Sequence, residues 1–177
     1  MSAAIERPSR GQAQPLDAAA QAALLHEIGQ FLFLEARLQD EHRYTEWEAL
    51  WEDDGVYWIP ANGEDSDPET CMSIVYDNRS RIALRVRQLL TGRRHSQEPA
   101  SRLRHMISNI ELLQDNGVEL TVGANVLVFE SNRRGETLWA ARTQYVLRRH
   151  GASFRMARKT VTLVNNDKPL YTLAFLI

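Results

Sequence analysis

Glu35 is the residue of this chain whose type and placement best suit acid or base chemistry. It interrupts an apolar helical stripe between Phe31 and Leu38, so its carboxyl group is expected to point into the protein. Tyr44, Tyr57 and His105 could add phenol and imidazole groups around it, which would make a pocket for a small organic substrate. The alternative interpretation is a structural carboxylate that accepts hydrogen bonds at the end of the core.

A second set of functional candidates is cationic. Between Arg79 and His105 the chain has eight arginines and two histidines, without a recognisable catalytic arrangement. Arginine makes bidentate contacts with carboxylates and is enriched at interfaces, and few acidic residues lie nearby in the sequence. We therefore expect a partner interface, with a solvated charged surface as the alternative. Its candidate residues are Arg79, Arg81, Arg85, Arg93, Arg94, His95, Arg102, Arg104 and His105.

The sequence gives no motif for a cofactor or metal in this chain. A Rieske cluster needs two cysteines and two histidines, whereas Cys71 is the only cysteine here. The five histidines form no HExxH motif and no pair at helical ligand spacing. The motifs GxSxG, GxxxxGK[ST] and GxGxxG are also absent, so acyl transfer, nucleotide hydrolysis and dinucleotide chemistry lack their usual sequence support.

Length and composition indicate one soluble domain. The chain has 177 residues, of which 44% are hydrophobic, enough for one sizeable core. Its formal net charge of -2 argues against general nucleic-acid binding, which needs a basic excess. It has no apolar run of the roughly 18 to 20 residues that a membrane span requires. The start of the sequence lacks a signal peptide, and these features together predict a cytoplasmic protein.

The first third of the chain is predicted to be mainly helical. Residues 1–16 have no periodicity and are expected to form a flexible arm. Asp17 is a good cap for a helix that ends near Asp40. A short helix is expected from Tyr44 to Trp51, followed by a strand from Val56 that stops at Pro60, and then by a loop.

The arginine-rich stretch is predicted to contain a helix. Ile82, Val86, Leu89 and Leu90 follow the spacing of one buried helical face. Thr91 and Gly92 end this pattern, so the residues through Pro99 are expected to form a surface loop.

From Arg104 onward the sequence alternates with period two, which is typical of half-buried strands. One strand is expected around Val118 to Val128, and the next has an inward face from Trp139 to Leu147. A third begins near Phe154 and changes register before Val161, which predicts a bulge near Lys159. Turn residues between these strands predict an antiparallel meander.

These elements predict an α+β fold. The expected architecture is a strongly curved antiparallel sheet wrapped round N-terminal helices to form a cone. The predicted organisation is an arm over residues 1–16 and a single domain over residues 17–177.

Several long segments resemble the small, or β, subunit of bacterial aromatic-ring-hydroxylating dioxygenases. They are FLFLEARLQDEHRYTEWEALWEDDGVYWIPA (31–61), IVYDNRSRIALRVRQLLTG (74–92), HSQEPASRLRHMISNIEL (95–112) and ARKTVTLVNNDKPLYTLAFLI (157–177). They occur in the same order as in the family and cover nearly everything after the arm. The chain departs from the family at Ala100, where a second proline is common, so the geometry of that loop can differ.

The resemblance implies a supporting role in a larger oxidoreductase. In that family three α and three β subunits assemble, and the α subunit carries the Rieske [2Fe-2S] cluster and the mononuclear Fe(II). The assembly adds dioxygen to an aromatic ring with electrons from NADH. The β subunit has the cone fold of ketosteroid isomerase, scytalone dehydratase and nuclear transport factor, without their catalytic residues. The alternative is a stand-alone isomerase, dehydratase or cyclase that uses Glu35, Tyr44 and His105.

Overall fold

A six-stranded sheet organises the chain, and three helices pack against it in the part of the chain that the structure describes. The structure is a computed structural model that describes residues 17–63, 67–92, 100–170 and 172–177. The helices are α1 (Ala18–Asp40), α2 (Tyr44–Glu48) and α3 (Arg79–Leu90). The strands are β1 (Trp51–Pro60), β2 (Ser73–Asn78), β3 (Arg102–Asp115), β4 (Glu119–Asn132), β5 (Gly135–His150) and β6 (Ser153–Leu163). The predicted arm, residues 1–16, lies outside the described residues.

The sheet has the strand order β2-β1-β6-β5-β4-β3, and its larger part is the predicted meander. Strands β3 to β6 are antiparallel to one another, with turns at Gly117, Gly135 and Gly151, all of which have positive φ angles. Strand β1, however, pairs in parallel with β6, so the sheet is mixed rather than purely antiparallel. The α+β prediction is confirmed, with this change in strand direction.

Strand β2 was not predicted from the sequence. Its inward residues are Val75 and Asp77, and the second of these is a buried carboxylate. A charged residue on the inward face hides the alternation of apolar and polar residues by which a strand is recognised. Asp77 is tolerated there because the Arg85 guanidinium donates a hydrogen bond of 2.6 Å to its Oδ2 atom.

Helix α1 lies on the concave side of the sheet and supplies much of the core. The backbone amide of Ala20 donates to the Asp17 carboxylate at 2.7 Å, so the predicted cap is confirmed. The predicted stripe is buried from Leu24 to Leu38 and packs mainly on β3, with further contacts to β6. Helix α3 covers β1 and β2 at the other end of the sheet.

Four predicted boundaries or orientations differ from the structure. Trp51 opens β1 instead of ending α2, because it pairs with Met156 on β6. Leu90 is 56% exposed, so three residues of α3 rather than four form its buried face. Val118 is 75% exposed and precedes β4. The bulge in β6 lies at Ala157 rather than at Lys159, since the pairing passes from Met156 directly to Arg158.

An aromatic cluster fills the interior beneath α2. The rings of Trp47, Trp51 and Tyr57 lie with their centroids 5.4 to 5.9 Å apart. The Tyr57 hydroxyl donates to the carbonyl oxygen of Ile177 at 2.9 Å, which ties β1 to the buried residues 174–177.

No helix among the described residues is long and apolar enough to cross a membrane.

Two glycines give opposite expectations for substitution by alanine. A Cβ atom at Gly55 would lie 2.9 Å from both the Glu52 carbonyl oxygen and a ring carbon of Trp51, so Gly55→Ala should destabilise the fold by about 1 to 3 kcal/mol. A Cβ atom at Gly29, inside α1, would meet only ordinary contacts of 3.7 Å. Gly29→Ala should therefore stabilise the helix by about 0.5 to 1 kcal/mol. Urea unfolding measures both changes, and equal effects would contradict the packing at Gly55.

Two buried tyrosines should make the fold sensitive to alkali. Burial raises the pKa of Tyr57 and of Tyr145 above the usual value near 10, and the nearby Glu35 carboxylate raises both further. Both phenols stay protonated in the folded state while they ionise in the unfolded state. Their contribution to stability is therefore complete below about pH 10 and is lost as the pH rises above it.

Tyrosinate absorbance measures this expectation. During an alkaline titration, two of the five tyrosines should ionise only when the far-ultraviolet circular dichroism of the fold is lost. Substitution of Tyr145 by phenylalanine should remove one of these two late-ionising groups. Reversible ionisation of all five tyrosines in the folded protein would contradict the burial of Tyr57 and Tyr145.

Candidate functional site

A buried ion pair joins α1 to β6 in the interior. The Lys159 ammonium donates a hydrogen bond of 2.8 Å to Oε1 of Glu35, and the Trp47 indole N–H donates to the same oxygen at 2.7 Å. The side chains of Lys159 and Glu35 are 2% and 1% exposed. Glu35 points inward as its helical spacing predicts, and the Ala157 bulge turns Lys159 to the same side of the sheet.

Aromatic rings complete the surroundings of the ammonium group. The Lys159 nitrogen lies 5.5 Å from the ring centroid of Tyr145 and 6.0 Å from that of Tyr57. Burial lowers the pKa of Lys159, while the Glu35 carboxylate acts in the opposite direction. We refer to Glu35, Lys159, Trp47, Tyr57 and Tyr145 as the interior cluster. In this cluster the Glu35 carboxylate forms an ion pair with Lys159 of the same chain.

Of the four residues proposed for an acid/base pocket, Tyr57 lies with Glu35 in the interior cluster, whereas Tyr44 and His105 have other partners. Glu35 belongs to the interior cluster, whereas the Tyr44 hydroxyl is 2.6 Å from Nδ1 of His42. Nδ1 of His105 lies 2.7 Å from Oδ1 of Asp40 at the end of α1, and the His105 backbone N–H also donates to that carboxylate. The structure therefore places Tyr44 and His105 in networks separate from that of Glu35 and Tyr57.

Two surface grooves are present, and the proposed pocket residues line neither. One, of about 420 Å³, lies between the first turns of α1 and the turn that joins β3 to β4. The other, of about 600 Å³, lies beside Gly55 and the start of α3 and contains Asp53 and Asp54. Neither groove includes Glu35, Tyr44 or His105. Among the described residues, no three His, Cys, Asp or Glu side chains are grouped to hold a metal ion.

The arginines at α3 have partners within the chain. Arg79 pairs with Glu48 at 2.8 Å, and Arg85 pairs with Asp77. The Arg81 guanidinium donates to the backbone carbonyl of Tyr76 at 3.1 Å. Because the carboxylate partners of Arg79 and Arg85 lie within the chain, the expectation that these two cations lack acidic partners is wrong.

Arg79 has a carboxylate partner because the tertiary fold brings α2 against α3. Glu48 lies on α2, 31 residues before Arg79, so no local sequence pattern indicates that it faces α3. Arg93, Arg94 and His95 lie outside the described residues. Their assignment to a partner interface stays a prediction, as does that of the other candidates.

Arg102 and Arg104 lie on a different surface, the convex face of the sheet. Arg104 has a 74% exposed side chain, with only a 3.6 Å contact to Asp40. Four apolar side chains surround this pair of arginines, and we name them with it as the outer-sheet patch. They are Met106, Leu127, Phe129 and Leu138, with exposures of 51%, 38%, 39% and 60%.

The register of the sheet makes the patch continuous. Phe129 lies opposite Arg104 on β3 and Leu138 on β5, while Met106 lies opposite Leu127. Exposed methionine, phenylalanine and arginine are typical of protein interfaces, and exposed apolar groups of this kind mark interaction surfaces. The sequence contained a signal for this surface, because Leu127 and Phe129 occupy outward positions in an alternating strand.

The chain was compared with known proteins. The family profile described as "Ring hydroxylating beta subunit" matches residues 34–167, well over half of the chain. The anthranilate 1,2-dioxygenase small subunit of Acinetobacter baylyi is 33% identical over 147 residues, which cover 78% of this chain and 88% of that subunit. Residues 34–167, which match the family profile, include both the interior cluster and the outer-sheet patch.

Solved structures share the fold. The β subunit of benzoate 1,2-dioxygenase from Burkholderia mallei superposes with a TM-score of 0.69 at 24% identity, covering 92% of this chain and 99% of that chain. A candidate scytalone dehydratase from Novosphingobium aromaticivorans gives a TM-score of 0.61 at 14% identity, covering 82% of this chain and 87% of that one. At these identities the structures support the fold alone, whereas the family profile and the Acinetobacter subunit support the family. This chain belongs to the family of ring-hydroxylating dioxygenase β subunits.

Proposed function

We propose that this chain is the structural, non-catalytic subunit of a hexamer of three α and three β subunits. In this proposal residues 17–177 form its single cone-shaped domain, and the assembly is a cytoplasmic aromatic-ring dioxygenase. The Rieske [2Fe-2S] cluster and the mononuclear Fe(II) belong to the α subunit, and NADH supplies the electrons. Membership of a β-subunit family implies an α-subunit partner.

The interior cluster is the observation that carries the non-catalytic role. An acid or base that acts on a substrate must lie within hydrogen-bond reach of it. Oε1 of Glu35 instead accepts hydrogen bonds from Lys159 and Trp47, and its side chain is 1% exposed. The space that a substrate would need beside this carboxylate is filled by the chain's own ammonium group and aromatic rings.

The outer-sheet patch supports contact between β subunits. Its cations, Arg102 and Arg104, project from β3, whereas Glu136 projects from β5 on the other side of the patch. Arg102 on β3 lies opposite Ser131 on β4, and Ser131 lies opposite Glu136 on β5, so the three residues form one row across the sheet. A neighbouring copy can therefore place its acidic side opposite these arginines while the apolar centre is buried.

Helix α3 is the proposed contact with the α subunit. Arg81 and Arg87 are exposed, whereas Arg79 and Arg85 are half-buried in their ion pairs with Glu48 and Asp77. The paired arginines hold the helix on the sheet, and the exposed ones remain available to carboxylates of the partner.

Co-expression with a Rieske-type α subunit, followed by light scattering and iron analysis, tests this proposal. The wild-type chain should join an iron-containing complex with the mass of a hexamer. Leu138→Glu should abolish the hexamer, because it buries a charge within the patch. Arg81→Glu should leave the β chains associated with one another and weaken their contact with α.

The matched control is Val118→Glu, which adds the same charge at an exposed apolar position outside the patch. It should assemble like the wild type. A hexamer that forms equally well with Leu138→Glu would contradict the role of the outer-sheet patch. A metal-free chain that stays separate from α, converts a small ketone and loses this activity on Glu35→Gln would contradict the structural role.

A further inference from the structure

Lysine is rare in this protein, and one of its lysines is in the interior. The chain has 21 lysines and arginines in total, and only Lys159 and Lys168 are lysines. Lys168 is exposed, whereas the Lys159 side chain is 2% exposed. An ammonium group is a compact point charge, while a guanidinium is a planar fork that needs more donors satisfied. The interior therefore accommodates the smaller of the two cations.

The surroundings of the Lys159 nitrogen form a recognition site for a primary ammonium group. The Glu35 carboxylate supplies the counter-charge at 2.8 Å. The rings of Tyr145 and Tyr57, at 5.5 and 6.0 Å, supply aromatic surfaces that attract cations. The Trp47 N–H fixes the carboxylate from another side at 2.7 Å, so the acceptor is held in place independently of Lys159.

Two further polar side chains of the interior have no hydrogen-bond partner among the described residues. Within the described residues, both amide atoms of Gln39 and the hydroxyl of Thr143 are buried and make no hydrogen bond. Gln39 lies one helical turn after Glu35, and Thr143 lies two residues before Tyr145 on the inward side of β5. The interior thus offers more polar groups than Lys159 satisfies.

We propose that the interior of the cone is a binding site for a primary alkylammonium ion, which this chain fills with its own Lys159 side chain. Shortening Lys159 opens the site to a free ion of the same class. The site is independent of the α subunit, so its test uses the β chain alone.

The test uses Lys159→Ala and n-propylammonium. This substitution removes three carbons and the nitrogen of the side chain, which is the size of the added ion. In the absence of n-propylammonium, the Glu35 carboxylate of the variant is buried and unpaired, and the Tm of the variant should fall by about 10 °C or more. Millimolar n-propylammonium chloride should restore several degrees of this loss in a saturable manner. Equal concentrations of propanol or sodium chloride should not.

Two control variants isolate the site. Lys168→Ala removes the exposed lysine and should show neither the loss of Tm nor a response to n-propylammonium. The Glu35→Gln/Lys159→Ala variant lacks the counter-charge and should lose the response to the ion. Equal rescue by propanol, or a saturable response that survives Glu35→Gln, would overturn the proposal.

Refolding keeps the test decisive if Lys159→Ala does not fold alone. The denatured variant is diluted into buffer with n-propylammonium, propanol or neither, and the recovered folded protein is measured by circular dichroism. Recovery that depends on n-propylammonium supports the site. Equally poor recovery in all three buffers would overturn it.

Discussion

The buried ion pair between Glu35 and Lys159 is the constraint on which the rest of the structure depends. It joins the long helix α1 to strand β6, and through Trp47 it also holds α2. Each charge is stable in the interior only because the other is present, since an isolated buried charge costs several kcal/mol. The helix and the strand must therefore keep one relative position. The bulge at Ala157 is part of this constraint, because it turns Lys159 toward the helix.

The same interaction decides where function can lie. In a cone-shaped fold the concave interior is the natural place for a ligand pocket. Here the acid of that interior is neutralised, and aromatic rings pack around the cation. The exposed convex face has the opposite character, because Met106, Phe129 and Leu138 lie beside exposed arginines. The exposed apolar and cationic side chains thus lie on the outer face, while the interior is filled by the chain's own residues.

Local sequence patterns predicted several helices and strands, and they predicted the inward position of Glu35, one of the two residues of the central ion pair. The spacing of the apolar residues in α1 correctly turned Glu35 inward, and the turn residues correctly separated β4, β5 and β6. The resemblance to β subunits correctly indicated the family and the fold. In each case a short-range pattern or a set of long matching segments contained the required information.

Long-range pairing explains what the sequence did not predict. The sequence pattern predicted a bulge near Lys159, whereas the bulge lies two residues earlier, at Ala157. The position of the bulge decides whether the Lys159 side chain faces solvent or the interior. Glu48 was not recognised as the partner of Arg79, because α2 and α3 meet only in the folded chain. Strand β2 was missed because Asp77 occupies an inward position that depends on Arg85.

A double-mutant cycle between Glu35 and Lys159, measured by urea unfolding, tests the central claim most directly. Each single substitution, Glu35→Leu or Lys159→Met, should lower the free energy of unfolding by about 3 to 5 kcal/mol, because it leaves one buried charge without its partner. The double variant should be more stable than either single variant, so the two effects should be strongly non-additive. Additive losses would show that the two charges do not depend on each other and would contradict this account of the fold.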